Sequence, residues 1–364
     1  MSSELRSKIL KAVIIIASVY LFLLSIKLLG HSFKLFGKGF AETMIQMTSN
    51  PFAGLIIGIV TTSLIQSSST TTSIVVGLVA GDALSLHNAI PIVMGANIGT
   101  TITNTIVSFG HIRNRIEFRR AFSVGLVHDL FNVCSVIILF PIEIHFHIIA
   151  KTAAKLETLF AGAGGIKMFN PLKIILDPVI DILSKLICCL PFANIFMIVI
   201  SLALLFFALG SLIKNIRSLV LNKIELIINQ YLFRNDVFGF IFGIIMTAVV
   251  QSSSVTTSLI IPLAGAGLVR IRQVFPYTLG ANIGTTVTAI LAALATQNNV
   301  AITVAFSHLC FNIFGIIIFY PLKFIPIGLA ELIGRTASKS TKNLILFIAV
   351  YIMIHFIPML FIIF

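Results

Sequence analysis

The chain has no tryptophan, and charged residues make up only 10% of its 364 positions. Acidic residues are scarce, because 12 aspartates and glutamates stand against 25 lysines and arginines. So little charge, together with 58% hydrophobic residues, lies outside the range of soluble globular domains. The composition therefore indicates an integral membrane protein.

The net charge of +13 does not predict a nucleic-acid partner, since the basic residues lie between apolar segments and form no patch with interleaved aromatic residues. With the N-terminus inside, the inside segments hold 17 of the 25 basic residues, including all ten arginines. These segments are residues 1–11, 111–120, 214–234, 266–273 and 321–343. The positive-inside rule then predicts a multi-pass protein of the cell membrane with a cytoplasmic N-terminus.

Cysteine is also rare, and the four cysteines predict no disulfide framework. Cys134 and Cys310 lie within apolar segments, whereas Cys188 and Cys189 are adjacent near a membrane boundary. The first apolar run, residues 9–29, lacks a small-residue cleavage site and is predicted to be an uncleaved membrane span.

Two serine-rich stretches organise the rest of the chain: QSSSTTTS at residues 66–73 and QSSSVTTS at residues 251–258. The apolar arms beside each stretch are too short to cross a bilayer, and eight consecutive polar side chains are costly in hydrocarbon unless they line something polar. We therefore expect each stretch to form the tip of a re-entrant helical hairpin, at about residues 51–82 and 237–266.

A second motif, GANIGTT, occurs at residues 95–101 and 280–286. It interrupts an apolar span in each half, residues 86–109 and 273–296, and predicts a broken transmembrane helix with free carbonyl oxygens. The two serine-rich stretches and the two GANIGTT motifs share one offset of 185 residues. Such a constant offset indicates one ancestral unit used twice.

The predicted fold is an all-α membrane protein with inverted-topology repeats, because three crossings per unit place the second unit upside down relative to the first. The first repeat covers residues 1–141 and ends at a proline. Residues 142–190 form a solvent-facing, extracytoplasmic connector. The second repeat covers residues 191–321, and residues 322–364 hold a cytoplasmic segment and an extra transmembrane helix at 343–363.

The two tips suit an anion, since a serine can cap the returning helix and hydroxyl groups donate to oxyanions. No lysine or arginine lies within either motif, so a bound anion needs another counter-charge. Sodium could supply it, because Asn97, Thr100 and Asn282 of the GANIGTT motifs offer the hard oxygen donors that such a cation prefers.

Several isolated polar residues allow two interpretations. Asp82 is either a sodium ligand or a solvated carboxylate at the membrane edge. His128, Asp129 and Asn132 form either a proton or ion relay or a structural hydrogen-bond cluster, and the structural role is favoured. His308 has no acid beside it and is expected to pack or to form hydrogen bonds.

The paired QSSS and GANIGTT motifs, with HDLFN at 128–132 and an FN-to-proline span at 311–321, resemble the type II sodium-dependent phosphate cotransporters and their bacterial relatives. The resemblance covers residues 10–141 and 191–321. It implies sodium-driven import of inorganic phosphate, with sodium as the coupling ion, no other cofactor and no enzymatic activity. Phosphate would be held between the two QSSS hairpin tips of an alternating-access transporter.

The resemblance also suggests which residues hold each ion. The phosphate ligands would be Gln66, Ser67, Ser68, Ser69, Ser252, Ser253 and Ser254. Sodium would be bound by Gln251, Ser252, Ser253, Thr285 and Thr288, to which the motif chemistry adds Asn97, Thr100 and Asn282. Asp82 matches the acid of electrogenic members, whereas Ala281 departs from relatives that carry serine.

Three alternatives share parts of this pattern. A transporter of the same design could carry another oxyanion, such as arsenate or sulfate. A passive anion channel would show sodium-independent flux, although a duplicated midplane site argues against an open pore. An intramembrane serine hydrolase would need a base near a serine, for which His128 is the nearest candidate.

Overall fold

A computed structural model describes residues 3–35, 48–163, 170–187, 192–231 and 235–356, and within these ranges all regular secondary structure is helical. The α-helices of the first half are α1 (Ser3–Lys34), α2 (Pro51–Ile65), α3 (Ser68–Ala80), α4 (Leu86–Gly99), α5 (Ile102–Ser108), α6 (Arg115–Phe146), α7 (Ile148–Gly162) and α8 (Asn170–Ile187). Those of the second half are α9 (Ala193–Tyr231), α10 (Asp236–Val250), α11 (Ser253–Ser258), α12 (Ile261–Gly265), α13 (Ile271–Thr296), α14 (Asn299–Phe319), α15 (Phe324–Ala337) and α16 (Thr341–Phe356).

Six helical segments of the described chain are long and apolar enough to cross a membrane. They are Ile9–Phe33, Leu86–His111, Arg115–Phe146, Ala193–Ser211, Ile271–Thr296 and Asn299–Phe319. The serine-rich stretches instead lie between shorter apolar helices. The protein is thus a multi-pass membrane protein.

Each serine-rich stretch forms the turn of a helical hairpin. Hairpin 1 comprises residues 51–80, and hairpin 2 comprises residues 236–265. Both begin at an asparagine cap, since the side chain of Asn50 accepts from the backbone N–H of Phe52 and that of Asn235 accepts from Phe238. The helix–turn–helix form agrees with the bounds predicted from the sequence.

Glycines let the first arm of each hairpin pack against the helix that carries GANIGTT. A Cβ atom at Gly95 would lie 2.1 Å from the carbonyl oxygen of Leu55, and one at Gly280 would lie 2.0 Å from that of Phe240. No side chain fits at such distances, so the backbones themselves are in contact. These paired contacts keep the 185-residue offset and fix each tip relative to its neighbouring helix.

The predicted helix break is present in the first repeat, and the prediction was wrong for the second. Helix α4 ends at Gly99 and α5 begins at Ile102, whereas α13 continues through the second GANIGTT. The surroundings of the two motifs differ in one acidic residue. At the break in the first repeat, Thr101 Oγ1 donates to Asp129 Oδ1 over 2.5 Å. At the 180-residue offset of this region, Leu309 replaces Asp129 and offers no acceptor.

Helix α6 does not stop at Pro141 but continues through this proline to Phe146, and the boundary of the first repeat stays a prediction. Glu143, in the last turn of α6, then begins the next helix: its carboxylate accepts hydrogen bonds from the N–H groups of Ile149 at 2.7 Å and Ala150 at 3.2 Å. These two acceptor bonds satisfy N–H groups at the start of α7 that have no partner within the helix.

The described parts of residues 142–190 form helices that pack on the rest of the protein through one face, and the solvent-facing, extracytoplasmic placement of this connector stays a prediction. Helix α7 packs on α14 and buries Ile149, while α8 packs on α1 and α9 and buries Leu176 and Ile180. Lys27 of α1 also forms an ion pair with Asp177 of α8. Both connector helices therefore belong to the helical bundle.

Two other predicted segments lie partly outside the described residues, and a third is continuous with its neighbour. The stretch at 31–49 lies mostly outside the described residues, as does the end of the predicted span at 343–363, of which α16 covers 341–356. The span at 191–213 and the amphipathic stretch after it form a single helix, α9.

The glycine contacts predict that Gly280→Ala destabilises the protein by about 2 kcal/mol, because an added methyl group must push α10 and α13 apart. Gly328→Ala, in α15, is the matched control, since a Cβ at this position meets no atom within 4 Å. Alanine is also a better helix former than glycine, so this change should not destabilise the protein. Thermal unfolding of the detergent-purified variants measures the difference. Equal melting temperatures would contradict the close packing.

Candidate functional site

The tip of each hairpin has the same capped geometry. Gln66 and Gln251 adopt left-handed backbone conformations, with φ of 57° and 60°, and end the first arm. The next serine then caps the second arm: Ser67 Oγ accepts from the N–H of Thr70 at 3.2 Å, and Ser252 Oγ accepts from Val255 at 3.3 Å. The first serine of each QSSS is thus a helix cap.

A threonine pair behind each tip holds the two arms together. Thr62 Oγ1 donates to Thr71 Oγ1 over 2.9 Å in hairpin 1, and Thr247 and Thr256 are joined over 2.8 Å in hairpin 2. All four residues are buried. These hydroxyls are therefore committed to the hairpins themselves and are not available to a ligand.

The two tips meet inside the protein, although they are 185 residues apart in sequence. Ser69 Oγ donates to the backbone carbonyl of Gln251 over 3.4 Å. Ser254 Oγ of the other tip donates to the carbonyl of Thr100, at the helix break, over 3.3 Å. The predicted site residues of both QSSS stretches are therefore brought to one place.

The second serine of each QSSS is buried, but its hydroxyl is not used. Ser68 is 4% exposed and Ser253 is 3% exposed, and neither hydroxyl has a hydrogen-bond partner among the described residues. One turn after Ser68, the buried hydroxyl of Thr72 also lacks a partner there. The hydroxyl of Ser73, next to Thr72, is buried and lacks a described partner as well. Hydroxyls of buried residues are normally paired, so these four are available to a polar ligand.

Two of the predicted sodium ligands lie in direct contact. Thr288 Oγ1 donates to Gln251 Oε1 over 2.6 Å, and the amide of Gln251 donates back to the carbonyl of Ala248. The equivalent pair in the first repeat is not formed: Gln66 is exposed, and the buried Thr103 hydroxyl lacks a described partner. The glutamine side chain at the tip of hairpin 2 is therefore hydrogen-bonded inside the protein, whereas the one at the tip of hairpin 1 is exposed.

The GANIGTT asparagines exchange contacts between the repeats. His128 of the first repeat donates through Nε2 to Asn282 Oδ1 of the second over 2.6 Å. Reciprocally, His308 of the second repeat donates through Nε2 to Asn97 Oδ1 of the first over 3.2 Å. Such mutual contacts are typical of an interface between two units related by a two-fold axis.

A third asparagine links the other two. Asn132 donates to the backbone carbonyl of Asn97 over 2.8 Å and accepts from the Asn282 amide over 2.8 Å. His128 and Asn132 do form hydrogen bonds, and the choice between a structural cluster and a relay stays a prediction. Asp129, which the sequence grouped with them, instead bonds to Thr101.

The remaining predicted residues are placed differently. Thr100 and Thr285 are buried near the tips, where each hydroxyl donates to a carbonyl of its own helix. Asp82 is exposed and follows the C-terminal end of the 13-residue helix α3, about 20 Å from the tip at 1.5 Å per residue. The structure does not bring it together with the others, and its role as a sodium ligand stays a prediction.

Sequence reasoning missed a contact between hairpin 2 and the first repeat. Thr257 Oγ1 donates to Asn104 Oδ1 over 3.0 Å, and the amide of Asn104 faces His128 Nδ1 at 3.4 Å. The duplication held a signal for it. At the constant offset Asn104 corresponds to Ala289, so the first repeat carries a buried amide that the second lacks.

A protein-family model described as Na+/Pi-cotransporter matches residues 21–168 and 204–332, which include both tips and both GANIGTT motifs. The chain belongs to the Na+/Pi-cotransporter family.

Curated relatives agree with this assignment. Sodium-dependent phosphate transport protein 2A of Rattus norvegicus is 34% identical over 425 aligned residues, covering 96% of this chain and 67% of the relative. The human protein named sodium-dependent phosphate transport protein 2B is 32% identical, covering 90% of this chain and 62% of the relative. The chain thus spans about two thirds of the length of these curated relatives. No solved structure matches this chain.

The asparagine network predicts that Asn132→Leu lowers the stability of the family fold by about 1–2 kcal/mol, because it leaves polar groups of Asn97 and Asn282 without a partner. Asn312→Leu is the matched control at the equivalent position. Asn97 Oδ1 would keep its bond from His308 there, so we expect a smaller loss. Thermal unfolding of both variants in detergent tests the difference, and an equal or reversed order would refute this role.

Proposed function

We propose that this protein is a sodium-coupled secondary transporter that imports inorganic phosphate by alternating access. The observation that carries the proposal is a pair of serines of low exposure, Ser68 and Ser253, whose hydroxyls form no hydrogen bond with a described residue and which lie one at each of two tips that meet in the protein interior. Membership of the Na+/Pi-cotransporter family supports the same function.

Phosphate would lie between the tips, where neutral donors replace its hydration shell. Hydroxyls suit this role because each can donate to one phosphate oxygen while accepting from a neighbour. The hydroxyl of Thr72 extends the same face of α3 by one turn, and the positive end of the α3 dipole lies at the tip. The proposed phosphate ligands are Gln66, Ser67, Ser68, Ser69, Ser252, Ser253 and Ser254.

Sodium would bind beside the second tip and neutralise the anion. The oxygens of Gln251 and Thr288 already lie 2.6 Å apart, and oxygen donors of this kind suit a hard cation. The proposed sodium ligands are Gln251, Ser252, Ser253, Asn97, Thr100, Asn282, Thr285 and Thr288, with Asp82 as a separate candidate at the far end of hairpin 1.

Carrying a phosphate dianion inward against about 100 mV costs roughly 4.6 kcal/mol, at about 2.3 kcal/mol per charge. Two sodium ions would offset this cost, and a third would make the cycle electrogenic.

We propose that the repeats are inverted and the hairpins re-entrant. The reciprocal contacts of His128 with Asn282 and of His308 with Asn97 support a two-fold relation between the units. The unlike tips support alternating access, since Gln251 is buried in a hydrogen bond while Gln66 is exposed. An exchange of these two arrangements between the repeats would expose the site on the opposite side.

We also propose a cytoplasmic N-terminus. Three of the segments that the charge count assigns to the inside come together around one arginine-lined pocket, at residues 119–124, 267–272 and 331–335. Their clustering supports placing these segments on a single side, and the positive-inside rule makes that side the cytoplasm.

The phosphate site predicts that Ser68→Ala with Ser253→Ala raises the KM for phosphate uptake into proteoliposomes by at least about tenfold, since two hydrogen bonds to a charged ligand are lost. Ser32→Ala with Ser201→Ala is the matched control, because these buried serines donate to carbonyls of their own helices. An unchanged KM in a protein that reaches the bilayer would rule out a phosphate site at the tips.

The sodium site predicts that Thr288→Val raises the sodium concentration for half-maximal uptake by about tenfold, as expected for one lost ligand contact of about 1.4 kcal/mol. Thr278→Val is the control in the same helix, because this buried hydroxyl donates to the backbone carbonyl of Phe275. Sodium titration of phosphate uptake compares the two variants. Equal sodium dependence in both would place sodium elsewhere.

A further inference from the structure

A cavity of about 600 Å³ opens on the surface away from the hairpin tips, where three elements converge. They are the N-terminal part of α6, residues 267–272 after hairpin 2, and the C-terminal half of α15. The charged residues lining it are Arg119, Arg120, Arg270, Arg272, Arg335 and Glu331. Half of all the arginines in the chain thus face one cavity.

No described carboxylate forms an ion pair with these arginines. Among the described residues, the ion pairs join Lys27 to Asp177, His111 to Glu117 and Lys323 to Asp236, and none involves an arginine of this cavity. Five guanidinium groups beside a single carboxylate repel one another and concentrate positive potential in a concave site. Such an arrangement is favourable when an anion lies between them.

One of the five arginines is held in place by the backbone. Gly267 has φ of +81°, and a Cβ there would lie 2.5 Å from Nη1 of Arg120, so the guanidinium rests directly on the glycine. The glycine thereby links the end of hairpin 2 to α6 of the first repeat. On the same side, Arg270 precedes the first turn of α13, whose dipole adds positive potential.

Exposed apolar side chains lie close in sequence to the arginines of this cavity. Leu268, Ile116 and Leu332 flank the arginines in sequence and are 63%, 60% and 59% exposed. Large exposed apolar side chains beside unpaired arginines are expected at the boundary between hydrocarbon and headgroups. The cavity is therefore suited to groups that lie at this boundary.

We propose that this cavity is a second anion site, distinct from the transport site, which binds a phosphate-bearing group through its arginines. Guanidinium groups bind phosphate oxygens in pairs, and basic pockets between transmembrane helices accommodate acidic headgroups. The group is supplied either by an acidic phospholipid or by a soluble phosphate compound. When bound, it bridges hairpin 2, the first repeat and α15.

The test measures binding and does not depend on transport. Purified protein in neutral-lipid nanodiscs is titrated with a fluorescent phosphatidylinositol phosphate in one arm and with inorganic pyrophosphate in the other. Arg120→Gln with Arg335→Gln should weaken binding about 30-fold, since each basic residue near a membrane surface contributes about a factor of five. The control is Arg113→Gln with Arg115→Gln, which removes the same amount of charge just before Arg119 at two positions outside the cavity.

Tight binding of the lipid probe that is lost only in the cavity variant would support the site and identify a headgroup as its ligand. Pyrophosphate binding with the same dependence on the variants would support the site with a soluble ligand. Equal weakening in both double variants would overturn the proposal, because a diffuse positive surface would then explain the binding. An absence of binding in both arms would overturn it as well. Gly267→Ala displaces the Arg120 guanidinium without changing the net charge. It should weaken binding of whichever probe the unmodified protein binds.

Discussion

The hydrocarbon of a membrane offers no hydrogen-bond partners, so each buried polar group of this protein must be satisfied within the chain or by a ligand. The serine-rich tips follow this constraint in part. Their first serines cap helices, Thr71 and Thr256 pair across the arms, and Ser69 and Ser254 reach the carbonyls of Gln251 and Thr100. The hydroxyls of Ser68 and Ser253 are left over at the meeting point, and they are the proposed contacts for phosphate.

Glycine contacts and polar contacts stabilise different parts of the structure around the two hairpin tips. Backbone contact at positions such as Gly95 and Gly280 fixes each hairpin within its own repeat. The exchange of His128 and His308 onto Asn282 and Asn97 joins the two repeats to each other. A rigid unit within each repeat and a small set of hydrogen bonds between them is an arrangement that permits one repeat to move against the other.

Capping and apolar periodicity act locally, so the duplicated motifs were sufficient to predict the position of both hairpins. The meeting of the two tips was expected from the repeat arrangement of transporters. The motifs could not show which GANIGTT would break its helix. The two motifs are identical, and the break coincides with a contact from another helix, in which Asp129 accepts a hydrogen bond from Thr101. The different environments of Gln66 and Gln251 were not predicted for the same reason. Gln251 accepts a hydrogen bond from Thr288, whereas the equivalent Thr103 forms no bond with Gln66. The packing partners of the connector helices were not predicted, because sequence spacing does not reveal contacts between distant segments.

Coupling between sodium and phosphate is the central claim, and radiolabelled phosphate uptake by the unmodified protein in proteoliposomes tests it most directly. An inward sodium gradient is compared with an equal potassium gradient. We expect phosphate to accumulate above its equilibrium level with sodium and not with potassium. Equilibration at the same rate and to the same level under both gradients would contradict coupled transport and favour a passive pathway.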